Sequence, residues 1–472
     1  MSLQHESHHQ VPSFHRGSFV DELESARTDL THRLLTGESL AESPSTSASA
    51  PPLSPSHSAA PSTPPSGAVS PPELTTARDG DLVADSFAFA FDIDGVLIRG
   101  GRPIPEAIEA MKVLNGENEY GIKIPYIFLT NGGGKSEAER CGDLSRQLEI
   151  NISPAQFICG HTPMSEMATK YGTVLVVGGE GEKCRQVAES YGFTDVVTPG
   201  DIIKNNSATT PFRKLTAEEL ANSKERDFSN VTIEAVFVFA DSRDWAGDLQ
   251  IILDIAMSKG GRVGTRSETF EEGPPIYFSH SDVLWSAAHD DPRLGMGALR
   301  GIVEYTFKEI TKGKTLTTHA FGKPQIGTFE FATRLLKRWR KNAHNLDSPP
   351  ETVYFVGDTP ESDIRGTNDF NAKAENDWYS ILVETGVYQQ GTIPTYKPRS
   401  TVTTVLDAVN FGLRREMERR QQKKLSATNL VAADHGRTNR PKLTNVPRWL
   451  LDSTDCAVLS PSEERALELV AH

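Results

Sequence analysis

The sequence has few cysteines, and no two of them have the spacing of a metal or redox motif. Among 472 residues there are four, Cys141, Cys159, Cys184 and Cys456, and no CxxC pair occurs. A disulfide framework or a zinc knuckle is therefore not expected, and a reducing compartment is the default expectation.

Long hydrophobic runs and an excess of basic charge are also missing. No window approaches the ~18 uninterrupted apolar residues of a transmembrane helix. The net charge is −14 and the pI is near 5.5, whereas a chain that binds nucleic acid needs a basic face for phosphates. We therefore expect no nucleic acid and no integral membrane association among its partners, and oligomerisation is left open.

The two ends of the chain differ in composition from the middle. Leu40 to Leu74 is rich in Ser, Pro and Ala, and such a tract buries too little apolar area to offset the entropy of ordering. We predict a disordered head over residues 1–80 and a poorly ordered tail over residues 412–472. The tail includes RREMERRQQKK, read as a solvated helix end or as a basic patch for an acidic lipid or partner.

The N-terminal segment is a poor match to a mitochondrial import signal. Transit peptides are rich in arginine and poor in acids, but the first thirty residues carry Asp21, Glu22 and Glu24. The residues themselves therefore leave a cytoplasmic location open.

Between these ends, short apolar runs alternate with helical patterns. FAFAF, IPYIFLT, VLVVGG, AVFVFA, TVYFVGD and YSILVETG have the character of buried strands, and PEAIEAMKVLNG and SEAERCGDLSRQL have helical periodicity. Continuous apolar strands that alternate with helices predict an α/β fold, a parallel sheet with helices on both faces. Ligands of such sheets bind beyond the carboxyl ends of the strands.

Polar residues of a consistent kind follow three of these strands, and a lysine precedes the last one. In chain order they are Asp92 and Asp94 after FAFAF, Thr130 and Asn131 with three glycines after IFLT, Lys323 in HAFGKPQ, and Asp358 and Asp363 in GDTPESDIRG. Each fragment alone has a plain structural explanation: an acidic turn, a glycine turn, a surface lysine, a helix N-cap. The four together, in this order, indicate a catalytic site.

These residues resemble the four motifs of the haloacid dehalogenase (HAD) superfamily. The order TN, GKP, GDxxxSDI, with a long segment before GKP, resembles subfamily IIA, whose members carry a C2-type cap. FDIDGVLIRGGRPIP, SHSDVLW, FVGDTPESDIRG and SILVETGVY further resemble the cat-eye-syndrome critical-region type-5 family. The resemblance covers about residues 81–390.

The resemblance implies a fold and its division. It implies a HAD-like Rossmannoid core over residues 81–173 and 315–411, with an inserted α/β C2-type cap over residues 174–314. Such a cap covers the site and excludes water.

It also implies a chemistry. Two carboxylates held together need neutralisation, and Mg²⁺ prefers carboxylate, carbonyl and phosphate oxygens. The expected ligands are Asp92, Asp358, Asp94 through its backbone carbonyl, and Asp363 through water.

The implied reaction is phosphate ester hydrolysis through an aspartyl-phosphate. Asp92 is the expected nucleophile and Asp94 the general acid and base. Thr130, Asn131 and nearby backbone N–H groups would hold the phosphate with Lys323. Because the dehalogenase branch lacks the second acid, Asp94 disfavours dehalogenation. Asp282 in SHSDVLW is a candidate for substrate specificity.

The function expected from the sequence is thus a Mg²⁺-dependent phosphatase of a small phosphorylated metabolite. Two alternatives stay open: an enzyme of mitochondrial glycerophospholipid or glycerol-phosphate metabolism, and a non-catalytic scaffold with this fold. Intact acidic and lysine positions oppose the scaffold, since buried charges are costly to keep without a use. The resemblance favours a mitochondrial location.

Overall fold

The computed structural model describes residues 82–435, with side chains as far as residue 426. The head predicted over residues 1–80 and residues 436–472 of the predicted tail lie outside the described residues. The fold is built around two parallel sheets, one of six strands and one of five.

The first sheet carries the predicted motifs and has only parallel pairings. Its strands, in spatial order, are Ser400–Val402, Asp377–Val383, Thr352–Gly357, Phe87–Phe91, Tyr126–Leu129 and Phe157–Ile158. The strand of Asp92 is thus central, with the strands of Asp358 and Thr130 on either side. The predicted α/β fold with a parallel sheet is confirmed.

Both faces of this sheet are buried because side chains alternate along each strand. Phe87, Phe89 and Phe91 belong to one apolar cluster and Ala88 and Ala90 to another. The first cluster is completed by helices Pro105–Leu114, Glu137–Leu148 and Val405–His435, and the second by helices Ile326–His344 and Arg365–Asn371. Alternate side chains of this strand thus belong to the apolar clusters on opposite faces of the sheet.

The two helices predicted from periodicity begin and end close to the expected residues. Pro105 starts the first, as suits a residue without a backbone N–H, and Asn115 follows its last turn. Ser136 caps the second, its Oγ accepting from the Glu139 N–H.

The second sheet is formed within residues 173–320. Its strands, in spatial order, are Thr318–Ala320, Ile276–Phe278, Ala235–Val238, Thr173–Val177 and Asp195–Val197, all parallel. Apolar clusters lie on both of its faces, and its helices are Lys183–Ser190, Pro199–Asn205, Ala217–Asn222, Trp245–Ala256 and Met296–Ile310. One of its strands, Thr318–Ala320, lies beyond the predicted cap range 174–314. The division into core and cap stays a prediction.

Short elements connect these layers. Leu82–Val83 pairs with Ile122–Lys123, and two hairpins pair Ile98–Arg99 with Arg102–Pro103 and Leu284–Trp285 with Arg293–Leu294. Short 3₁₀ turns lie at Pro154–Gln156, Thr162–Met167, Ser207–Thr209 and Phe228–Asn230, and a π-turn lies at Pro360–Ile364.

The helix Val405–His435 contains the basic stretch that the sequence assigns to the tail. Arg419 pairs with Glu416 and Lys423 with Glu351. Residues 412–435 of the predicted tail are helical. The side chains of Arg419 and Lys423 contact acids of the same chain. Within residues 82–435, the helices are too short or too polar to cross a bilayer.

Candidate active site

The predicted motif residues meet at one edge of the first sheet. Asp92, Thr130 and Asp358 each directly follow one of three neighbouring parallel strands. The carboxyl ends of parallel strands lie at the same edge, so side chains far apart in sequence come together there.

Three carboxyl groups form the centre of this site. Carboxylate oxygens of Asp92, Asp358 and Asp363 all lie within 4.8 Å of one another. All three residues are buried, Asp363 completely. The structure thus brings together three of the acids that the sequence names as metal ligands, and their role as ligands stays a prediction.

Lys323 lies against this cluster and is itself buried. Its Nζ is 2.6 Å from Oδ1 of Asp92 and 2.8 Å from Oδ1 of Asp363. Burial alone would lower the pKa of Lys323, but the carboxylates of Asp363 and Asp92 raise it above its ordinary value. The lysine is therefore a buried positive charge beside Asp92, and not a surface residue.

The loop around Asp363 fixes that carboxylate from its other oxygen. Oδ2 of Asp363 accepts from the N–H groups of Asp358 and Thr359, both at 3.0 Å. This carboxylate thus orders the loop after the strand Thr352–Gly357 while its Oδ1 faces Lys323.

The carboxylate of Asp358 is held by two hydrogen bonds and lies directly against the backbone of Gly95. Its Oδ2 accepts from the Val387 N–H at 2.7 Å, and its Oδ1 accepts from Thr359 Oγ1. Gly95 has φ +94°, and a Cβ there would lie 2.1 Å from Oδ2 of Asp358. Glycine after Asp94 is therefore required both by the backbone conformation and by the space that the carboxylate fills.

The carboxylate of Asp94 lies beside Arg140. Its carboxylate is paired with Arg140 at 3.6 Å, and it is half-buried. Burial raises the pKa of Asp94 above its ordinary value, against the influence of Arg140 and Lys323. A carboxyl group that retains its proton more readily is suited to act as a general acid.

The amide of Asn131 is committed to contacts within the protein. Its Oδ1 accepts from the Lys323 N–H at 2.7 Å, and its Nδ2 donates to the Lys323 carbonyl and to Oδ2 of Asp282 at 2.8 Å. Asn131 thereby positions the lysine loop, so its predicted contact with phosphate would fall to its backbone N–H. Thr130 accepts from the Gly132 N–H through Oγ1 at 2.9 Å, and its hydroxyl hydrogen stays available for a ligand.

The donor set fits Mg²⁺. Asp92, Asp358 and Asp363 supply hard carboxylate oxygens, and Lys323 balances only part of their negative charge. Burial raises the pKa of Asp358 to about 7 and that of Asp92 well above its usual range, and the neighbouring carboxyl groups add to both increases. Such an excess of buried negative charge is what a bound divalent cation would relieve.

A cavity of about 310 Å³ opens from the cluster toward the second sheet. It is lined on one side by Asp92, Asp94, Thr130 and Arg140, and on the other by Asp241, His280, Asp282, Trp285 and Ser286. The sequence interpretation included Asp282 but missed Arg140, Asp241, His280 and Ser286. Asp241 follows the apolar stretch AVFVFA, so the strand-end rule could have identified it.

His161 is fully buried in a hydrogen-bond network. Its Nδ1 lies 2.8 Å from the Tyr191 hydroxyl and its Nε2 lies 3.1 Å from the Lys135 carbonyl. Tyr191 and Thr162 both donate to Oε1 of Glu137. These side chains therefore form one buried polar network.

Two family models match the chain. A model described as haloacid dehalogenase-like hydrolase matches residues 89–194, and a HAD-hydrolase-like model matches residues 320–408. The two ranges contain the predicted strand-end motifs.

Two curated proteins are each 40% identical to this chain. The chain is 40% identical over 349 residues to a mitochondrial hydrolase of Saccharomyces cerevisiae, which covers 69% of this chain and 95% of that protein. It is 40% identical over 327 residues to a cardiolipin synthase (CMP-forming) / mitochondrial hydrolase fusion protein of Schizosaccharomyces pombe. That match covers 69% of this chain and 53% of the fusion protein, so the chain spans about half of its length.

Among solved structures, the chain is similar to p-nitrophenyl phosphatase from Archaeoglobus fulgidus. The identity is 18% and the TM-score 0.44, and the match covers 69% of this chain and 99% of that one.

Proposed function

Since this chain belongs to the haloacid dehalogenase-like hydrolases, we propose that it is a Mg²⁺-dependent phosphatase of a small phosphorylated metabolite. The observation that carries the proposal is the buried cluster of Asp92, Asp358 and Asp363 around Lys323, with Asp94 beside it. A chain without catalytic chemistry has no reason to keep so much buried charge.

Asp92 is the proposed nucleophile. Its carboxylate forms a bond to phosphorus while the bond from phosphorus to the ester oxygen breaks, which gives an aspartyl-phosphate. Lys323, 2.6 Å from Oδ1 of Asp92, holds that carboxylate in place and stabilises negative charge on the transferring group.

Asp94 is the proposed proton carrier. It gives its proton to the departing alcohol oxygen, and its raised pKa supports this role. Once ionised, it takes a proton from the water that attacks the phosphorus of the intermediate. Inorganic phosphate is released and the Asp92 carboxylate is regenerated.

The remaining residues would bind and orient. Thr130 and the backbone N–H groups of the glycine loop would hold phosphate oxygens, and Asn131 would keep the lysine loop in place. Asp92, Asp358, Asp363 and the Asp94 carbonyl would hold Mg²⁺. When bound, the ion would neutralise charge on the phosphate and the carboxylates.

A second candidate is an enzyme of mitochondrial glycerophospholipid or glycerol-phosphate metabolism. The observation in its favour is that one relative joins a cardiolipin synthase to a mitochondrial hydrolase in one chain. The names of both curated relatives also support a mitochondrial location.

Phosphate release from p-nitrophenyl phosphate tests the proposed function. The purified protein should release phosphate with Mg²⁺ and stop when the metal is chelated. Asp92→Asn should abolish turnover, because an amide is a poor nucleophile, while Asp347→Asn at an exposed position should keep it. Beryllium fluoride should protect wild-type Asp92 from chemical labelling. Wild-type turnover in Asp92→Asn would remove the assignment.

A further inference from the structure

Two buried polar atoms of the cavity wall make no hydrogen bond within the described residues. They are Oδ1 of Asp241 and Oγ of Ser286, and both residues line the cavity that contains Asp92 and Asp94. Leaving a buried oxygen without a hydrogen bond costs free energy, so each such atom needs an explanation. Their shared position in the active-site cavity indicates a ligand as the missing partner.

The backbone of Asp241 is held firmly while part of its carboxyl stays open to the cavity. The Asp241 carbonyl accepts from the Gly179 N–H at 3.1 Å and from Nη1 of Arg243 at 2.8 Å. Asp241 and Asp94 line the same cavity. Asp241 therefore faces the space beside the proposed general acid, where the departing alcohol would lie.

His280 lies beside Asp241 in this wall. It is buried, with Nε2 3.9 Å from Oδ2 of Asp241 and Nδ1 accepting from the Asp282 N–H at 3.3 Å. The imidazole thus lies on the Oδ2 side of the Asp241 carboxyl, and Oδ1 has no hydrogen-bond partner among the described residues.

We propose that Asp241 and Ser286 bind hydroxyl groups on the alcohol part of the substrate, so that the enzyme selects phosphate esters of small polyhydroxy alcohols. The inference rests on the proposed function, because it assigns the departing alcohol to the side of Asp94. A carboxylate accepts from a hydroxyl, and a serine hydroxyl both donates to one and accepts from one. A cavity of about 310 Å³ has room for a small alcohol.

Charged residues of both signs line the cavity, with Arg140, Lys183 and Arg243 beside Asp94, Asp241 and Asp282. A neutral group that donates hydrogen bonds satisfies Oδ1 of Asp241 without bringing a second anion to these acids or a second cation to these bases.

Matched esters test the inference. Wild-type kcat/KM is measured with Mg²⁺ for glycerol phosphate, n-propyl phosphate, phosphoethanolamine and p-nitrophenyl phosphate. Glycerol phosphate and propyl phosphate share the carbon chain and differ in hydroxyls, so their ratio reports hydroxyl recognition. We expect a ratio of about a hundredfold in favour of glycerol phosphate, since a site built for a hydroxyl discriminates against its absence.

The same ratio, measured in variants, tests which residues recognise the hydroxyl groups. Asp241→Ala should lower it by about tenfold or more, and Ser286→Ala should lower it by less, because hydrogen bonds to charged groups are the stronger ones. Asp241→Asn keeps the shape of the side chain and replaces the alanine variant if that variant does not fold. It should also lower the ratio of kcat/KM for glycerol phosphate to kcat/KM for propyl phosphate. Asp291→Ala, at an exposed position of the neighbouring hairpin, is the control and should leave it unchanged.

The outcomes separate this inference from the proposed function. A wild-type ratio near one, an unchanged ratio in both Asp241 variants, or a preference for phosphoethanolamine would overturn the inference while p-nitrophenyl phosphate is still hydrolysed. If none of the four esters is hydrolysed, the proposed function fails, and the inference fails with it.

Discussion

Lys323 is the residue on which the charge balance of the site depends. It is the cation that contacts both Asp92 and Asp363, and its loop is fixed through two hydrogen bonds with Asn131. The ammonium is thus preorganised before any substrate binds, and preorganised charge costs no rearrangement during the reaction.

Replacing Lys323 should therefore remove most of the activity. Lys323→Ala should lower kcat on p-nitrophenyl phosphate by about a hundredfold or more, which corresponds to ~2.7–4 kcal/mol of transition-state stabilisation. Lys323→Arg should recover only part, since a planar guanidinium does not replace a compact ammonium. Lys341→Ala at an exposed position is the control. Activity of Lys323→Ala within about twofold of wild type would refute the role.

Asp248 gives a pH-dependent contribution to stability that is separate from catalysis. It lies in the first turn of helix Trp245–Ala256 and is buried, and burial raises its pKa to about 6. A raised carboxyl pKa means that the folded state prefers the protonated form. The stabilisation is fully present below the unfolded-state pKa of about 4 and is lost as the pH rises through about 6.

Asp248→Asn should remove this pH dependence. The pKa of Asp248 is about two units higher in the folded state than in the unfolded state, which corresponds to roughly 3 kcal/mol. The free energy of unfolding of the variant, relative to that of wild type, should therefore rise by ~2–3 kcal/mol between pH 4 and pH 7.5. Denaturant unfolding at both pH values measures it. Parallel pH profiles for the two proteins would contradict the assignment.

At the scale of elements, buried hydrogen bonds join the two sheets through the network of His161, Tyr191 and Glu137. Glu137 begins the helix that follows the glycine loop, and Tyr191 directly follows helix Lys183–Ser190 of the second sheet. The Lys135 carbonyl, at the end of that loop, contacts His161. The position of the second sheet is thereby coupled to the loop that would hold phosphate.

Tyr191→Phe should destabilise the protein without changing its apolar packing. The substitution leaves Nδ1 of His161 without its partner and removes one donor to Glu137. The expected loss is about 1–3 kcal/mol in the free energy of unfolding, measured by denaturant titration. Tyr305→Phe, at an exposed position, is the matched control. Equal stability of the two variants would show that the network contributes nothing.

At the scale of the whole molecule, the chain divides between Asp81 and Leu82. The residues proposed for the chemistry all follow this division. The first 80 residues lie outside the described part of the chain, and their Ser/Pro-rich composition predicts little apolar surface.

Removal of the first 80 residues should therefore leave the chemistry intact. A chain that starts at Asp81 should keep the Tm of the full chain and its kcat on p-nitrophenyl phosphate, measured by thermal unfolding and steady-state assay. A drop of about tenfold in kcat, equivalent to ~1.4 kcal/mol, would mean that the head supports the site. The full-length chain measured beside it is the control.

The sequence by itself determined the fold class and indicated which residues meet at the candidate site. Buried parallel strands are visible as continuous apolar runs, and each ends where polar residues begin, so Asp92, Thr130 and Asp358 could be assigned to one sheet edge. Both signals are local, and the parallel arrangement then requires those ends to meet.

Only the tertiary structure decided what lies opposite that edge. The contact of Asn131 with Asp282 joins residues 151 apart, and Asp241, His280 and Ser286 line the same cavity as the motif residues. The pairing of Lys423 with Glu351 likewise became visible only when the last helix packed on the core. Such contacts depend on how two separately patterned layers pack, and no local periodicity encodes that arrangement.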